Sequence, residues 1–355
     1  MSLNWNQKLA ELFVTNFNKN FTGVSATAAN VIRQQAKQHD LHLVGYSLPG
    51  CPAPITLKQA REMCKTAPEG RDFSIWHVRR NPEMRAAIWS RDVLKLPIRV
   101  VFTSAAQRLH SAYPRWLIRQ MDAIVATTEI AARYVDNVQA VVPHGVDTEL
   151  FTPAPDRAAA WSALGYGGAQ GFATIGRIRP EKGTDLFVDA MIQLLPQHPT
   201  AKALVIGRAG REHQKFLAEL QTRIKTANLS DRILFPGEVG PAELPNLMRG
   251  LSLVMQLPRY EGYGMVPLEG MASGVPFVGS DTGYYEEFSA QGKAGAVVPL
   301  KDAAAAAKAA AAILGNPSQH AEMCRDARDI AAHSFSSAFE ASGIETVYQN
   351  LWEKG

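Results

Sequence analysis

The 355-residue sequence predicts an α/β fold of two doubly wound units, each a parallel sheet with helices on both faces. Three observations carry this prediction. Short, near-continuous apolar runs alternate with helix-length stretches. The alternation stops at a segment rich in Pro and Gly, then starts again. The length is about twice the roughly 150 residues of a single domain. With 46% hydrophobic and 20% charged residues, the chain has material for two cores and is not disordered in composition.

In the first unit, residues 12–15, 41–46, 73–78, 99–103, 123–127 and 139–142 read as strands, because each is short, β-rich and bounded by turn residues or amphipathic stretches. Residues 143–155 contain three Pro and a Gly but show no period, and so form a linker between domains at 1–150 and 151–333. A second series follows at 172–176, 203–207, 232–235, 251–255, 276–279 and 296–298. Residues 303–314 are almost all Ala, the best helix former, with Asp302 placed as N-cap. The final stretch, 334–355, is read as a helix carrying Phe335, Phe339, Tyr348, Leu351 and Trp352, an apolar set that needs a surface to cover, and it is expected to return to the first domain.

Composition narrows the setting. The three cysteines, Cys51, Cys64 and Cys324, show no C-x-x-C spacing, which excludes a disulfide scaffold and points to a reducing cytoplasm. Met1 to Glu11 lacks the apolar core of a signal peptide, and uncharged apolar runs such as 251–257 are strand-sized, so neither secretion nor membrane spanning is expected. The net charge of +4 is unevenly spread. Between Arg71 and Arg119, ten cations face three anions, a local +7 that leaves −3 for the rest. Such a block suits an anionic partner (phosphorylated substrate, membrane surface or nucleic acid) or is simply a solvated face.

Ligands of open parallel sheets bind beyond the carboxyl ends of the strands. The loops there hold no G-x-G-x-x-G, no G-x-x-x-x-G-K-[ST] and no Asp-x-Asp, which argues against a dinucleotide fingerprint, a P-loop and an acidic metal-binding pair. In Gly176-Arg177-Ile178-Arg179-Pro180-Glu181-Lys182-Gly183, Arg177 and Lys182 bracket a loop at a helix start, where backbone N–H groups and the helix dipole favour a diphosphate; the alternative is a solvated turn. In Glu261-Gly262-Tyr263-Gly264-Met265-Val266-Pro267-Leu268-Glu269, two glycines permit close backbone approach. Glu261 and Glu269, eight apart, can hold separate hydroxyl-bearing groups of one long ligand, with Glu269 one or two turns inside a helix.

Arg177 with Lys182, Glu261 with Glu269 in Glu-Gly-Tyr-Gly-Met, and Asp281-Thr282-Gly283 before Glu286 and Glu287 together resemble the C-terminal half of the retaining GT-B glycosyltransferases of family four, over about residues 140–300. The resemblance implies two Rossmann-like domains facing a deep cleft. It also implies that Arg177 and Lys182 stabilise the leaving diphosphate, Glu269 holds the ribose, Glu261 faces the transferred sugar, and the backbone at Tyr263, Gly264, Met265 and Val266 contacts sugar and phosphate, with no metal and no cofactor. Cations then stabilise the charge that develops on the β-phosphate, and closure of the domains about residues 143–155 excludes water.

In the first unit, Phe21-Thr22-Gly23-Val24-Ser25 resembles the family's glycine loop, which assigns a donor-phosphate contact to Gly23; otherwise Gly23 caps a helix start. The family's His after the strand 99–103 is replaced here by Phe102-Thr103-Ser104-Ala105-Ala106-Gln107-Arg108. His77 is the closest substitute for a catalytic or sugar-binding role, against a satisfied structural histidine, and His144 stands where relatives have Asn. Residues 75–84 with 102–108 are similar to a narrower group, the lipopolysaccharide core mannosyltransferases of alphaproteobacteria. That implies GDP-mannose as donor, an acceptor in the Kdo region of lipid A–core, and a peripheral position on the inner membrane that the basic block helps to dock. The block carries no nucleic-acid-reading motif, so no nucleic-acid partner is expected. The rival readings are a nucleotide-sugar epimerase of the same fold, a transferase using a UDP- or ADP-sugar, and a nucleotide-binding protein without turnover.

Overall fold

Successive side chains of a strand leave opposite faces of the sheet, so a strand covered on both sides has no polar phase. The computed structural model describes residues 10–354, which contain twelve strands, most of them of this kind; most of the Met1 to Glu11 segment lies outside the described residues. The chain divides into two units. One runs up to Gly145 and resumes at Ser337; the other is Val146–Ser336.

The first unit holds β1 (Leu12–Asn16), β2 (Leu41–Gly45), β3 (Ser74–Val78), β4 (Ile98–Ser104), β5 (Ala123–Ala126) and β6 (Val138–Val141), all parallel, in the order β2-β1-β3-β4-β5-β6. Leu12, Val14, Ile75, Val101 and Val125 share one face with Val31 and Ile32 of the helix Gly23–Gln35. Phe13, Trp76, Val78, Phe102 and Ile124 share the other with Met84, Ala87 and Leu117. Burying each of the larger side chains contributes about 1.5–3 kcal/mol.

The terminal helix is Ser337–Lys354, and it closes the first of these faces with Ile344, Val347, Tyr348 and Trp352. Trp352 Nε1 donates to the Phe73 carbonyl at 3.2 Å, and the Arg71 guanidinium lies 4.3 Å from its ring centroid. Two residues depart from the expected apolar set. Phe335 precedes this helix and packs edge-on against Phe288, at 5.1 Å, in the other unit. Phe339 is exposed, because the buried positions 337, 340, 341, 344, 347, 348 and 352 follow one helical stripe that misses 339.

The second unit holds β7 (Gln170–Ile175), β8 (Ala201–Ile206), β9 (Ile233–Gly237), β10 (Leu253–Gln256), β11 (Phe277–Ser280) and β12 (Gly295–Val298), again all parallel, in the order β12-β11-β10-β7-β8-β9. Phe172, Val205, Met255 and Val278 face Phe187, Met191 and the alanine helix Ala303–Leu314; Ala173, Leu204, Val254 and Phe277 face Leu268, Met271 and Trp161. Asp302 caps the alanine helix as expected, accepting from Ala305 N at 2.8 Å. All twelve expected strands are present, with ends shifted by no more than two residues.

Both sheets wind outward from their first strand and then cross back. β1 is flanked by β2 and β3, and β7 by β8 and β10. Chain connections diverge at these switch points, leaving a crevice beyond the carboxyl ends of β1/β3 and of β7/β10. Among the described residues, no helix is long and apolar enough to cross a membrane.

Candidate active site

In the second unit the loops that leave β7, β10 and β11 are tied to one another. Arg259 makes two bonds to the Asp185 carboxylate, at 2.8 and 2.6 Å, and also donates to the Pro180 carbonyl. Arg259 N donates to the Glu181 carbonyl at 2.9 Å, and Ser280 Oγ to the Pro258 carbonyl at 2.6 Å. Burial alone would raise the Asp185 carboxyl, but the Arg259 fork outweighs it and holds the group below the usual carboxylate range. Two glycines make this proximity possible. At Gly183, with φ +66°, a Cβ would stand 1.7 Å from the Leu257 carbonyl oxygen; at Gly264, with φ +92°, it would stand 2.2 Å from the Tyr285 ring.

The expected site residues sit on this frame. Arg177 is exposed on the loop after β7 and has no hydrogen-bond or ion-pair partner among the described residues. Lys182, on the short 3₁₀ turn Pro180–Lys182, places Nζ 2.5 Å from Glu261 Oε2, so these two are brought together. Glu261 also accepts from Gly262 N at 3.0 Å, and its own N–H donates to Thr282 Oγ1 at 3.2 Å. Tyr263 is buried and stacked on Tyr284, with ring centroids 5.1 Å apart. Gly264 then opens the helix Met265–Ala272 without a side-chain cap, leaving the Met265 and Val266 N–H groups in its first turn.

Glu269 lies on the second turn of that helix. Its carboxyl has no hydrogen-bond partner among the described residues, and burial pushes it up to about 7. A carboxyl held in this way, with two acceptor oxygens and no protein donor, is suited to a ligand that brings hydroxyl groups.

The β1/β3 switch point of the first unit has a different character. Glu83, fully buried, accepts from Thr15 Oγ1 at 3.1 Å, Phe17 N at 3.1 Å, Arg79 N at 2.8 Å, Arg80 N at 3.1 Å and Arg80 Nη1 at 3.0 Å. Arg80 extends the network to Asn16 Oδ1 and Ser25 Oγ at 3.1 and 3.0 Å. The sequence places these two residues in the charged block and in the 75–84 segment without a role of their own; a carboxylate just after a strand end, beside two arginines, was the available signal. Gly23 is the first residue of the helix Gly23–Gln35, and a Cβ built on it would meet nothing within 4 Å.

The expectation that His77 contacts substrate requires correction. The residue is fully buried, its Nε2 is 2.6 Å from Thr103 Oγ1, and its Nδ1 is bonded to the Tyr348 hydroxyl. Burial, reinforced by the charge of Arg79, depresses its pKa well below the usual histidine value, so it is a neutral, fully bonded structural residue. His144 is likewise engaged, with Nδ1 2.8 Å from Glu340 Oε1.

The basic block is not a single solvated face either. Arg80 pairs with Glu83, Arg91 and Arg99 share Asp122 at 2.6 and 2.9 Å, Arg71 covers Trp352, and Arg79 is buried. The exposed remainder, including Arg85, Lys95 and Arg108, lies in segments that also expose Trp89, Val93, Leu94, Leu109, Tyr113 and Trp116.

The profile of the family "Glycosyl transferases group 1" matches residues 166–330. The lipopolysaccharide core biosynthesis mannosyltransferase LpsB of Rhizobium meliloti is 39% identical over 345 residues, which cover 96% of this chain and 97% of that protein. LpcC of Rhizobium leguminosarum bv. viciae, of the same description, is 37% identical over 347 residues, 96% of each chain. Among solved structures, Anabaena HepE in complex with UDP shares the fold with a TM-score of 0.77 at 15% identity, covering 96% of this chain and 100% of that one. The C-terminal domain of a group 1 glycosyltransferase, LpcC of Francisella tularensis, is 30% identical with a TM-score of 0.52, covering 54% of this chain and 99% of that one. The chain is therefore a hexosyltransferase of GT-B fold, a group 1 glycosyltransferase belonging to the family of the lipopolysaccharide core biosynthesis mannosyltransferases.

Proposed function

We propose that the protein transfers mannose from GDP-mannose, with retention at the anomeric carbon, to a hydroxyl in the Kdo region of lipid A–core. The observation that carries this reading is the half-buried Glu269, whose carboxyl has no partner among the described residues, on the helix entered from the Glu261 loop. Glu269 accepts from the two ribose hydroxyls. Arg177 and Lys182 receive the diphosphate, whose charge outcompetes the single carboxylate of Glu261 for the Lys182 ammonium. Glu261, so released, accepts from a hydroxyl of the mannose. The N–H groups at Tyr263, Gly264, Met265 and Val266 face the sugar and the phosphates, with the helix dipole behind them. Gly23, with open space where a side chain would stand, leaves the backbone of its loop accessible to a phosphate.

In the reaction, the bond from C1 to the β-phosphate oxygen breaks with its electron pair left on phosphate, and the acceptor oxygen bonds C1 on the same face. The acceptor proton passes to the departing phosphate, which becomes more basic as the bond breaks. Arg177 and Lys182 stabilise charge that exists only as the leaving group departs, which is where binding energy accelerates a reaction. The divalent ion used by other transferases is replaced by these two cations, so excess EDTA leaves turnover unchanged.

Mannose as the sugar is supported by the names of the two relatives matched over nearly their whole length. Attachment to the inner face of the inner membrane is supported by exposed Trp89, Leu109, Tyr113 and Trp116 among Arg85, Lys95 and Arg108, a combination suited to an anionic lipid interface. A thermal-shift panel of GDP-, UDP- and ADP-sugars, followed by NMR of the product, tests the proposal. Selective stabilisation by GDP-mannose and an α-mannoside product support it; an epimerised free sugar overturns it.

A further inference from the structure

Arg79 is the first residue after β3, and its side chain is 9% exposed. None of its three guanidinium nitrogens has a hydrogen-bond partner among the described residues. The carboxylates that compensate it, Glu340 and Glu83, act on it only through space, and both are committed elsewhere: Glu340 to His144 and Gly145 N, Glu83 to its five donors. A buried, unpaired guanidinium is expensive, and a fold that keeps one needs an external partner to explain it.

The surroundings show where that partner enters. Arg79 lines a cavity of about 210 Å³ at the carboxyl ends of β3 and β4, together with Val24, Phe102, Ser104, His110 and His144. Ser104 Oγ and His110 Nε2 are also buried without partners among the described residues. Val24, Asn81 and Ala105, exposed members of the lining, give the cavity a lip open to solvent. Its volume falls below the roughly 300–1,000 Å³ of clefts that enclose drug-sized ligands, which matches one ring rather than a nucleotide sugar. The planar fork of arginine is matched by a carboxylate or a phosphate, each able to take two parallel hydrogen bonds.

We infer that Arg79 and its pocket form an oxyanion subsite that holds the carboxylate or phosphate of a sugar ring on the acceptor, with Ser104 and His110 bonding to hydroxyls of the same ring. The assignment to the acceptor rests on the function proposed above; binding of the anion does not. Arg79 orients the acceptor hydroxyl from a neighbouring group and is a binding residue, not a catalytic one.

The test compares the full-length protein with Arg79→Met and Arg79→Lys, without nucleotide sugar. The probes are the methyl glycoside of Kdo as carboxylate, glucose 1-phosphate as phosphate, and methyl mannoside as neutral control. Ligand-observed NMR should show at least one anionic probe bound by the wild type and weakened about tenfold or more in Arg79→Met, less in Arg79→Lys, with no change for the neutral sugar. Which anion binds identifies the source. Arg79→Met should melt at or above the wild-type temperature, because it removes an unpaired buried charge. If neither anion distinguishes the wild type from the variants, or if both variants melt well below it, the subsite is refuted. Because no donor is present, these readouts stand whether or not mannosyl transfer is the reaction.

Discussion

The two sheets carry the same device, a switch point flanking the first strand, and use it in opposite ways. At β7/β10 several ionisable groups are left for something else: among the described residues Arg177 has no partner and Glu269 no donor, while Lys182 pairs with Glu261, which otherwise accepts from Gly262 N. At β1/β3 the protein satisfies most of its own polar groups, with Glu83 collecting five donors and His77 bonded at both nitrogens, and Arg79 is the exception. Topology therefore supplies a crevice, and the polar bookkeeping inside it decides whether that crevice binds or braces.

The largest expected effect falls on the braced side. Glu83→Ala strands Arg80 and three backbone N–H groups, and breaking a buried pair in this way costs about 3–5 kcal/mol, read as a fall in the denaturant midpoint. On the binding side, Lys182→Ala should lower transfer by about a hundredfold while melting stays near wild type, as for removal of one group that stabilises a developing oxyanion. If Lys182→Ala unfolds the protein, or Glu83→Ala leaves its stability intact, the contrast between the two switch points fails.

His77→Asn separates the two further. Losing the bonds to Thr103 and Tyr348 should cost about 1–3 kcal/mol, with transfer well below the melting temperature falling less than about threefold. A large fall in kcat with unchanged stability would return His77 to the reaction.

Glu269 gives the smallest and most specific signal. Its folded-state pKa, about 7, lies above its ordinary value of 4.5, so the stability it contributes is fully present below pH 4.5 and is lost as pH rises through 7. Glu269→Gln should therefore remove that decline and stabilise the unliganded protein above pH 7. Nucleotide affinity of the wild type should rise over the same interval, because the ionised carboxylate is the better acceptor for ribose hydroxyls. Calorimetric titrations between pH 5 and 8 on the order of one unit apart check both directions.

The legibility of the sequence follows the same contrast. Most of the twelve strands were readable because a strand buried on both faces is a short apolar run, and the partly exposed edge strands β6 and β9 were readable from the turn residues that bound them. The cluster of the second unit could be proposed from sequence because its parts lie in two short segments, 176–183 and 261–269, in which Gly183 and Gly264 leave no room for a side chain. That of the first unit could not. Its partners are far apart in the chain, as in His77 with Tyr348 and Thr103, or Thr15 with Glu83, and no spacing rule links them. Arg79 was visible as one of ten cations and as a member of the 75–84 segment, but with no role of its own, since burial without a partner has no sequence signature. Phe335 was misplaced because helical period alone cannot show that the chain passes from one unit to the other between Ser336 and Ser337.

The central claim is that the second switch point grips a nucleoside diphosphate through two cations and one carboxylate. A crystal structure with GDP bound tests it most directly. The account predicts the diphosphate against Arg177 and Lys182, the Lys182–Glu261 pair opened, and both ribose hydroxyls on Glu269. GDP lodged away from the ends of β7 and β10, with the Lys182–Glu261 pair intact, would contradict it.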